Sequence, residues 1–332
     1  MAAFLLTRTL HSIKRPRLLD PLSSLSPLAR YFNTIAAAHQ HLAPEGQSSF
    51  SFGDGGNSGG DAILVKGANS GPKREGGSSS VTMPMSFMTG SIVGKRFYKQ
   101  VTTRQSDDGN GWSVMLDYRT LKTPSKRALK LPTLSLAKAI AAEWDYQQTD
   151  GIRPFTMPLM RLACTALERV PVTRPKIIDN LMRKFNQDLV FCRAPWDNNL
   201  TIGVYDRQVQ KIDPLLDWVK TEFGFKPVVY SSFFGGKQGQ GLVKAMENLL
   251  KNTSDCELAA IDALAAASHS LVIAVGIFCG RLDIEEAIEL IRFEEDLQVD
   301  KWGLVEGGND LDIADLKVQI SSAVVFLGLS KF

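Results

Sequence analysis

The sequence predicts an α+β protein in which a small β-rich N-terminal domain is followed by a larger all-helical C-terminal domain. Two observations support this fold class. Apolar residues alternate at period two from Trp112 to Tyr118, and from Leu136 onward they recur at the spacing of helices. We therefore divide the chain into a leader, 1–32, a linker, 33–90, a small α+β domain, 91–155, and a helical domain, 156–332.

The leader has the composition of a mitochondrial transit peptide. Residues 1–32 contain five basic residues and a single acid, Asp20, among many Leu, Ser and Ala residues. Leu5 and Leu6 lead directly to Arg8, which interrupts the apolar stretch that a secretory signal needs. We expect cleavage near Asn33 and a location in the mitochondrial matrix, while composition alone leaves a chloroplast address open.

Net charge argues against a nucleic-acid partner. The formal charge is +3, but removal of the leader leaves 33 basic residues against 34 acidic ones. Phosphate contacts by Lys and Arg supply most of the affinity for nucleic acids. A processed chain without excess positive charge therefore predicts another kind of partner.

The linker is rich in glycine and serine. Runs such as residues 53–60 and 76–80 contain few large apolar side chains, so they cannot offset the entropy of ordering. The first folded segment is a predicted hairpin, in which residues 95–103 and 112–118 are strands joined by a glycine-rich turn. Further short strands are expected near 119–123 and 128–131.

The rest of the sequence is predominantly helical in pattern. Leu136, Ile140 and Trp144 share one helical face, and Ser135 is a candidate N-cap. Among later segments, only Val228–Phe234 has the pattern of a strand. Helices are predicted near 135–148, 159–170, 174–192, 205–223, 240–251, 256–279, 283–301 and 312–329.

The helix predicted near 256–279 is apolar enough to raise the alternative of a membrane span. Asp262 and His269 interrupt its apolar surface, and charged groups are costly near the centre of a bilayer. A helix that is apolar nearly all round is also typical of the centre of a bundle. We therefore predict a core helix and no stable membrane insertion.

Few residues outside the leader and linker have catalytic potential. His269 is the only histidine there, and its Ala-rich surroundings favour a core histidine over a general base. The cysteines are scattered without a C-x-x-C pair, which favours reduced, buried thiols: Cys164, Cys192, Cys256 and Cys279. The sequence predicts no metal site, no cofactor and no catalytic residue.

A glycine-rich stretch at residues 235–241 is the one candidate for a phosphate-binding loop. Leu242 follows Gly241 where a P-loop requires lysine, and Lys244 occupies the place of the third glycine of G-x-G-x-x-G. We favour a connector. The alternative is a nucleotide-dependent small-molecule enzyme that uses this loop.

Acidic residues near the end of the helix at 283–301 form a candidate partner-binding patch. Glu294 and Glu295 lie close to Gln298 and Trp302, and a polar group beside a large aromatic residue is typical of protein interfaces. Adjacent carboxylates on a helix point about 100° apart, which disfavours a shared catalytic site. Structural ion pairing remains the alternative to partner binding.

Several segments, taken together and in order, resemble one known family. They are Arg96–Lys99, Val114–Arg119, Leu121–Pro124, Ile140–Gln147, Met157–Leu162, Glu285–Ala287, Arg292, Glu294–Glu295, Gln298 and Lys301–Gly303. The family is that of the mitochondrial ATP synthase F(1)-complex assembly factor 2 and its α-proteobacterial relatives. Tyr118 departs from the family pattern at a turn, and Gly307–Asp310 replaces a Trp-x-His-Asp stretch.

The resemblance implies a two-domain chaperone, without ATPase activity, that binds the unassembled α subunit of the ATP synthase catalytic head. It also implies that a glutamate of the Glu294–Glu295 pair is needed, and we favour Glu295. We expect a monomer that prevents aggregation of the α subunit and hands it over for assembly with β subunits.

Overall fold

The computed structural model describes residues 63–66, 79–195, 202–231, 236–303 and 309–331. The predicted leader lies outside these residues. The described residues belong to one compact unit, and their buried apolar side chains from Val81 to Leu327 form a single core cluster. A five-stranded sheet is followed by nine α-helices within the described residues, so the predicted α+β class is confirmed. The division at residues 155 and 156 stays a prediction.

The sheet has strand order β1-β2-β5-β4-β3. Strands β2 and β5 pair in parallel, and the other neighbours pair antiparallel. The predicted hairpin is β3 with β4, and the predicted strand near 119–123 is β5. The strands are β1 (Leu64–Lys66), β2 (Ser80–Thr82), β3 (Val101–Gln105), β4 (Trp112–Leu116) and β5 (Arg119–Lys122).

Residues 64–66 and 80–89 differ from the predicted linker because they are folded, and β1 pairs with β2. Strand β2 is buried, and a 3-10 turn follows at Met85–Thr89. Val81, Met83 and Phe87 are buried in the core, which provides the apolar contact that offsets the entropy of ordering a glycine-rich neighbourhood. The region predicted near 128–131 forms isolated bridges instead of a strand.

Helix α1 covers one face of the sheet. Its buried side chains include Leu136, Ile140 and Trp144, as the helical spacing predicts. The N-cap is Thr133, whose Oγ1 accepts from the backbone N–H of Leu136 over 3.1 Å, so the assignment of Ser135 is wrong. The helices are α1 (Leu134–Asp145), α2 (Pro158–Cys164), α3 (Val170–Phe185), α4 (Ile202–Phe223), α5 (Gln240–Lys251), α6 (Asp255–Ser268), α7 (Leu271–Phe278), α8 (Ile284–Trp302) and α9 (Asn309–Ser330).

Two predicted helix boundaries are wrong. Helices α2 and α3 are joined by a π-helical turn at Thr165–Arg169, and α3 ends at Phe185 rather than near residue 192. Pro171 follows this turn and has no N–H for the carbonyl of Leu167, which accepts from Arg127 Nη1 over 3.1 Å instead. The predicted strand near Val228 is a single bridge between Tyr230 and Cys192.

Candidate functional site

Helix α8 carries the acidic residues that the sequence singles out. A capping box fixes its start: Asp283 accepts from the backbone N–H of Glu286 over 2.7 Å, and Glu286 accepts from that of Asp283 over 3.2 Å. Ala287 is buried, whereas Glu294 and Glu295 are exposed. The helix therefore packs an apolar stripe inward and leaves carboxylates on its outer side.

Three side chains of α8 contact helix α4. The partners run in opposite directions along the two helices, so the helices are antiparallel at this contact. The three contacts are Gln208 Nε2 to Glu294 Oε1 at 3.4 Å, Lys211 Nζ to Glu289 Oε2 at 2.9 Å, and Arg207 Nη1 to Asp300 Oδ2 at 3.2 Å.

Gln208 makes Glu294 part of a structural network. The Gln208 side chain is buried, and its Oε1 accepts from the backbone N–H of Ala194 over 2.7 Å. Its amide N–H then points to Glu294. Glu294 therefore has a structural role through a hydrogen bond to an amide, whereas the structural ion pairing that the sequence left open involves Glu295.

Glu295 contacts a buried guanidinium on its own helix. Arg292 is only 6% exposed and donates to Glu295 Oε2 over 3.0 Å and to Asp296 Oδ1 over 2.8 Å. The Glu295 side chain is 66% exposed, so most of the carboxylate is open to solvent. A partner could reach it without separating α8 from the core.

A groove of about 530 Å³ lies between α8 and α9, and we call it the α8–α9 groove. Helix α4, the α6–α7 junction and a 3-10 turn at Leu189–Phe191 complete its walls. Apolar side chains line the floor: Leu189, Val190, Ile212, Leu215, Ile273, Leu290, Ile291 and Leu316. Four carboxylates and one guanidinium line it as well: Glu294, Glu295, Asp312, Asp315 and Arg292.

The α6–α7 junction forms one end of the groove and breaks the single helix predicted at 256–279. His269 adopts a left-handed conformation with φ of 52°, which ends α6, and Ser270 caps α7 by accepting from the backbone N–H of Ile273 over 3.1 Å. The interpretation of His269 as a core histidine is wrong, because it is exposed and lines the groove.

A buried carboxylate holds this junction in place. Asp188 Oδ2 accepts from Ser270 Oγ over 2.9 Å and from the backbone N–H of Val272 over 3.1 Å, and Oδ1 accepts from that of Val190 over 3.1 Å. Burial raises the pKa of Asp188 to about 6, against the lowering effect of these hydrogen bonds. Asp188 thus links two walls of the groove.

The structure brings together only part of the predicted patch. Glu294 and Glu295 both line the groove, whereas Gln298 is exposed on α8 and is not among the lining residues. The side chain of Trp302 lies outside the described part of the chain. The sequence analysis did not identify Asp312 and Asp315 as part of the site. Their spacing on α9 does not show that α8 packs opposite them.

The described part of the glycine-rich segment is packed by the protein's own aromatic rings. A Cβ on Gly236 would lie 2.6 Å from the Tyr230 ring, and one on Gly241 would lie 2.3 Å from the Phe225 ring. The buried Gln238 side chain accepts from the backbone N–H of Val228 over 2.9 Å and donates to its carbonyl over 2.8 Å. These contacts account for the glycines structurally and favour the connector.

The four cysteines are free thiols. Cys164 is buried as predicted, whereas Cys192 and the other two are partly exposed. Burial raises the pKa of Cys256 and of Cys279 to about 11, so both remain protonated near neutral pH. Among the described residues, no group of three or more His, Cys, Asp and Glu could hold a metal ion.

The predicted core helix is confirmed by burial, although it consists of α6 and α7. Residues such as Leu258, Ile261, Val272 and Val275 are buried. Within the described ranges, one helix meets the length and composition of a membrane span, over Asp310–Ser330 in α9. Within this stretch, 28% of the apolar window is buried inside the protein, and α9 contacts α1, α2 and α6.

Known proteins match this chain in sequence and in fold. The family model described as ATP12 chaperone protein matches residues 95–220. The mitochondrial protein atp12 of Schizosaccharomyces pombe is 25% identical over 244 residues, covering 70% of this chain and 81% of that protein. The mitochondrial ATP12 of Saccharomyces cerevisiae is 19% identical over 273 residues, covering 71% of this chain and 84% of that protein. The crystal structure of Atp12 from Paracoccus denitrificans is similar, with a TM-score of 0.65 and 29% identity, covering 72% of this chain and 99% of that one.

Proposed function

Since this chain belongs to the ATP12 chaperone family, we propose that it binds the unassembled α subunit of the mitochondrial ATP synthase catalytic head. It prevents aggregation of that subunit and hands it over for assembly with β subunits. The proposed location is the mitochondrial matrix, in line with the transit-peptide composition of residues 1–32 and the mitochondrial names of both fungal relatives.

The observation that carries the proposal is the α8–α9 groove, which has an apolar floor and the exposed carboxylate of Glu295 at its edge. An unassembled subunit exposes apolar surface that its neighbours later cover, and such surface aggregates. The groove offers apolar contact to a client, and its charged edge restricts how the client sits. Glu294, Glu295, Gln298 and Trp302 are the proposed partner-binding residues.

Release follows from exchange between partners. A contact confined to one groove and its rim buries a moderate area, which suits a transient complex better than a permanent one. The β subunit then displaces the chaperone because it covers more of the same client. The proposed cycle therefore needs no nucleotide hydrolysis, and the protein acts as a monomer without a cofactor.

A direct test measures light scattering while the purified α subunit is diluted from denaturant. An equimolar amount of this protein should suppress scattering, and later addition of the β subunit should release the chaperone. An unrelated aggregating protein, diluted in the same way, is the control for client specificity. Equal suppression for both clients, or none for the α subunit, would contradict the proposal.

Calorimetry separates the chaperone from the nucleotide-dependent alternative. Titration of the protein with ATP, ADP and NAD should produce no heat of binding. Saturable binding that is lost when Gly236 is replaced by Ala would instead support an enzyme that uses residues 235–241.

A further inference from the structure

We propose that the α8–α9 groove takes a segment of the client polypeptide in which Lys or Arg side chains flank a row of apolar side chains. This inference rests on the proposed function, because it names the chemistry of the client at the site proposed there. It follows from the distribution of charge and apolar surface around the groove.

The floor can accept apolar side chains. Leu189 is 63% exposed at its edge, and Leu290, Ile291 and Leu316 are partly exposed. Burying such side chains against an apolar partner gains about 25 cal/mol per Å² removed from water. The volume of about 530 Å³ is within the range of clefts that enclose ligands, so a few client side chains fit.

The edges of the groove are acidic on both sides. Glu294 and Glu295 lie on the α8 side, and Asp312 and Asp315 lie on the α9 side. Arg292 is the one Lys or Arg side chain among the described lining residues, and it already contacts Glu295 and Asp296. The groove therefore has an excess of negative charge.

Nearby cations on α4 do not neutralise this excess. Lys211 is paired with Glu289 and Arg207 with Asp300, and none of these four residues lines the groove. The N-terminus of α9 offsets part of the charge of Asp312. Carboxylates in a cleft with low-dielectric walls concentrate their potential and attract cationic partners.

This charge pattern selects among occupants. A neutral or acidic apolar segment would remove water from the carboxylates without providing counter-charges, whereas Lys and Arg would pair with them. A second copy of this chain matches the acidic groove poorly in charge. Without its leader the chain has 33 basic residues against 34 acidic ones, so it has no net positive charge to complement the groove. A basic, apolar segment of the client satisfies both the floor and the edges.

The test uses a fluorescent peptide of about 18 residues, roughly five helical turns, with Leu on one face and Lys on either side. A peptide with Glu in place of Lys and a scrambled Leu/Lys peptide are the controls. We expect the Leu/Lys peptide to bind at least about tenfold more tightly than either control, with an affinity that falls as salt screens the charges. Equal binding of the Leu/Glu peptide would overturn the proposal.

Two charge-reversal variants locate the site. Asp312→Lys combined with Asp315→Lys should weaken the Leu/Lys peptide at least about tenfold. The matched control combines Asp206→Lys with Glu285→Lys, two exposed acids outside the groove lining, and should change affinity less than about twofold. Equal weakening by both variants would mean that net charge alone attracts the peptide, which contradicts a site in the groove.

Competition identifies the source of the segment and separates the two proposals. The α subunit should displace the Leu/Lys peptide. If a peptide of residues 1–32 displaces it and the α subunit does not, the groove belongs to the chain's own leader and the proposal fails.

If the groove variant still captures the α subunit as the unchanged protein does, the segment proposal fails while the chaperone function stands. Sedimentation that shows a dimer dissociated by the groove variant would assign the groove to a second copy.

Discussion

Arg292 donates to Glu295 Oε2 over 3.0 Å from a guanidinium that is almost completely buried in helix α8. The same guanidinium donates to Asp296 over 2.8 Å. The two carboxylates thus share one partner and have similar exposure, 66% and 54%, but only Glu295 lines the α8–α9 groove. This pair allows the role of the groove to be separated from the role of the ion pair.

Glu295→Lys should abolish capture of the α subunit in a pull-down while leaving the fold intact. The Glu295 carboxylate is exposed and the buried Arg292 guanidinium keeps its contact with Asp296, so the free energy of unfolding should fall by about 1 kcal/mol. Asp296→Lys removes the other contact of Arg292 and should retain capture. An equal loss of capture in both variants would show that pairing with Arg292 matters, rather than the position of Glu295 in the groove.

Trp144→Arg should prevent folding. Trp144 is fully buried between Phe87 and Tyr98, with ring centroids 6.0 and 5.9 Å away. An unpaired charge in this position costs about 3–5 kcal/mol, a large share of the stability of a typical domain. Trp144→Phe is the control: the indole Nε1 has no hydrogen-bond partner in the described structure, so only packing is lost. A melting curve for Trp144→Arg like that of the unchanged protein would contradict this account of the core.

Asp188→Asn should destabilise the protein by about 1–3 kcal/mol in chemical denaturation. The carboxylate accepts three hydrogen bonds, and an Asn amide would turn its NH₂ toward a donor on one side. Ser270→Ala removes one of these bonds and should have a smaller effect. If Asp188→Asn unfolds at the same denaturant concentration as the unchanged protein, the junction does not depend on this carboxylate.

The same residue predicts a dependence of stability on pH. The folded pKa of Asp188 is raised to about 6, above the value of about 3.9 for an unfolded Asp. The folded state therefore holds a proton that the unfolded state has lost, so the contribution of Asp188 to stability decreases as pH rises from about 4 to about 6. The difference in unfolding free energy between the unchanged protein and Asp188→Asn should narrow over this range. A difference that widens would contradict a raised pKa.

His269→Gly should raise the free energy of unfolding by roughly 0.5–1 kcal/mol. A left-handed residue with a Cβ is strained by about 1–2 kcal/mol, and glycine removes the strain at the expense of a more flexible unfolded chain. His269→Ala keeps the Cβ and should not stabilise the protein. A lower melting temperature for His269→Gly than for His269→Ala would mean that the side chain has contacts that matter more than its backbone strain.

The spacing of apolar residues along the sequence predicted the individual strands and helices that bury one face. The alternation from Trp112 predicted β4, and the spacing of Leu136, Ile140 and Trp144 predicted the buried face of α1. The break at His269 was missed because alanines and aliphatic residues continue on both sides of it, although Ser270 is a good N-cap. The folded state of β2 was missed because Val81 directly follows a run of glycine and serine at residues 76–80.

The groove depends on tertiary contacts that no local pattern contains. Glu295 could be proposed from its neighbours on one helix, whereas Asp312 faces it only because α9 returns along α8. The role of Gln208 in holding Glu294 likewise requires α4 to pack beside α8. For the same reason the pattern of α8 alone does not show the different partners of Glu294 and Glu295, which are Gln208 and Arg292 in the folded chain.

The most direct test of the central claim is to isolate the tagged protein from mitochondria and identify the polypeptides bound to it. We expect the α subunit in near-equimolar amount, free of β subunit, and its loss when the tagged protein carries Glu295→Lys. Recovery of no α subunit, or of α and β together in an assembled head, would contradict a chaperone that holds the unassembled α subunit.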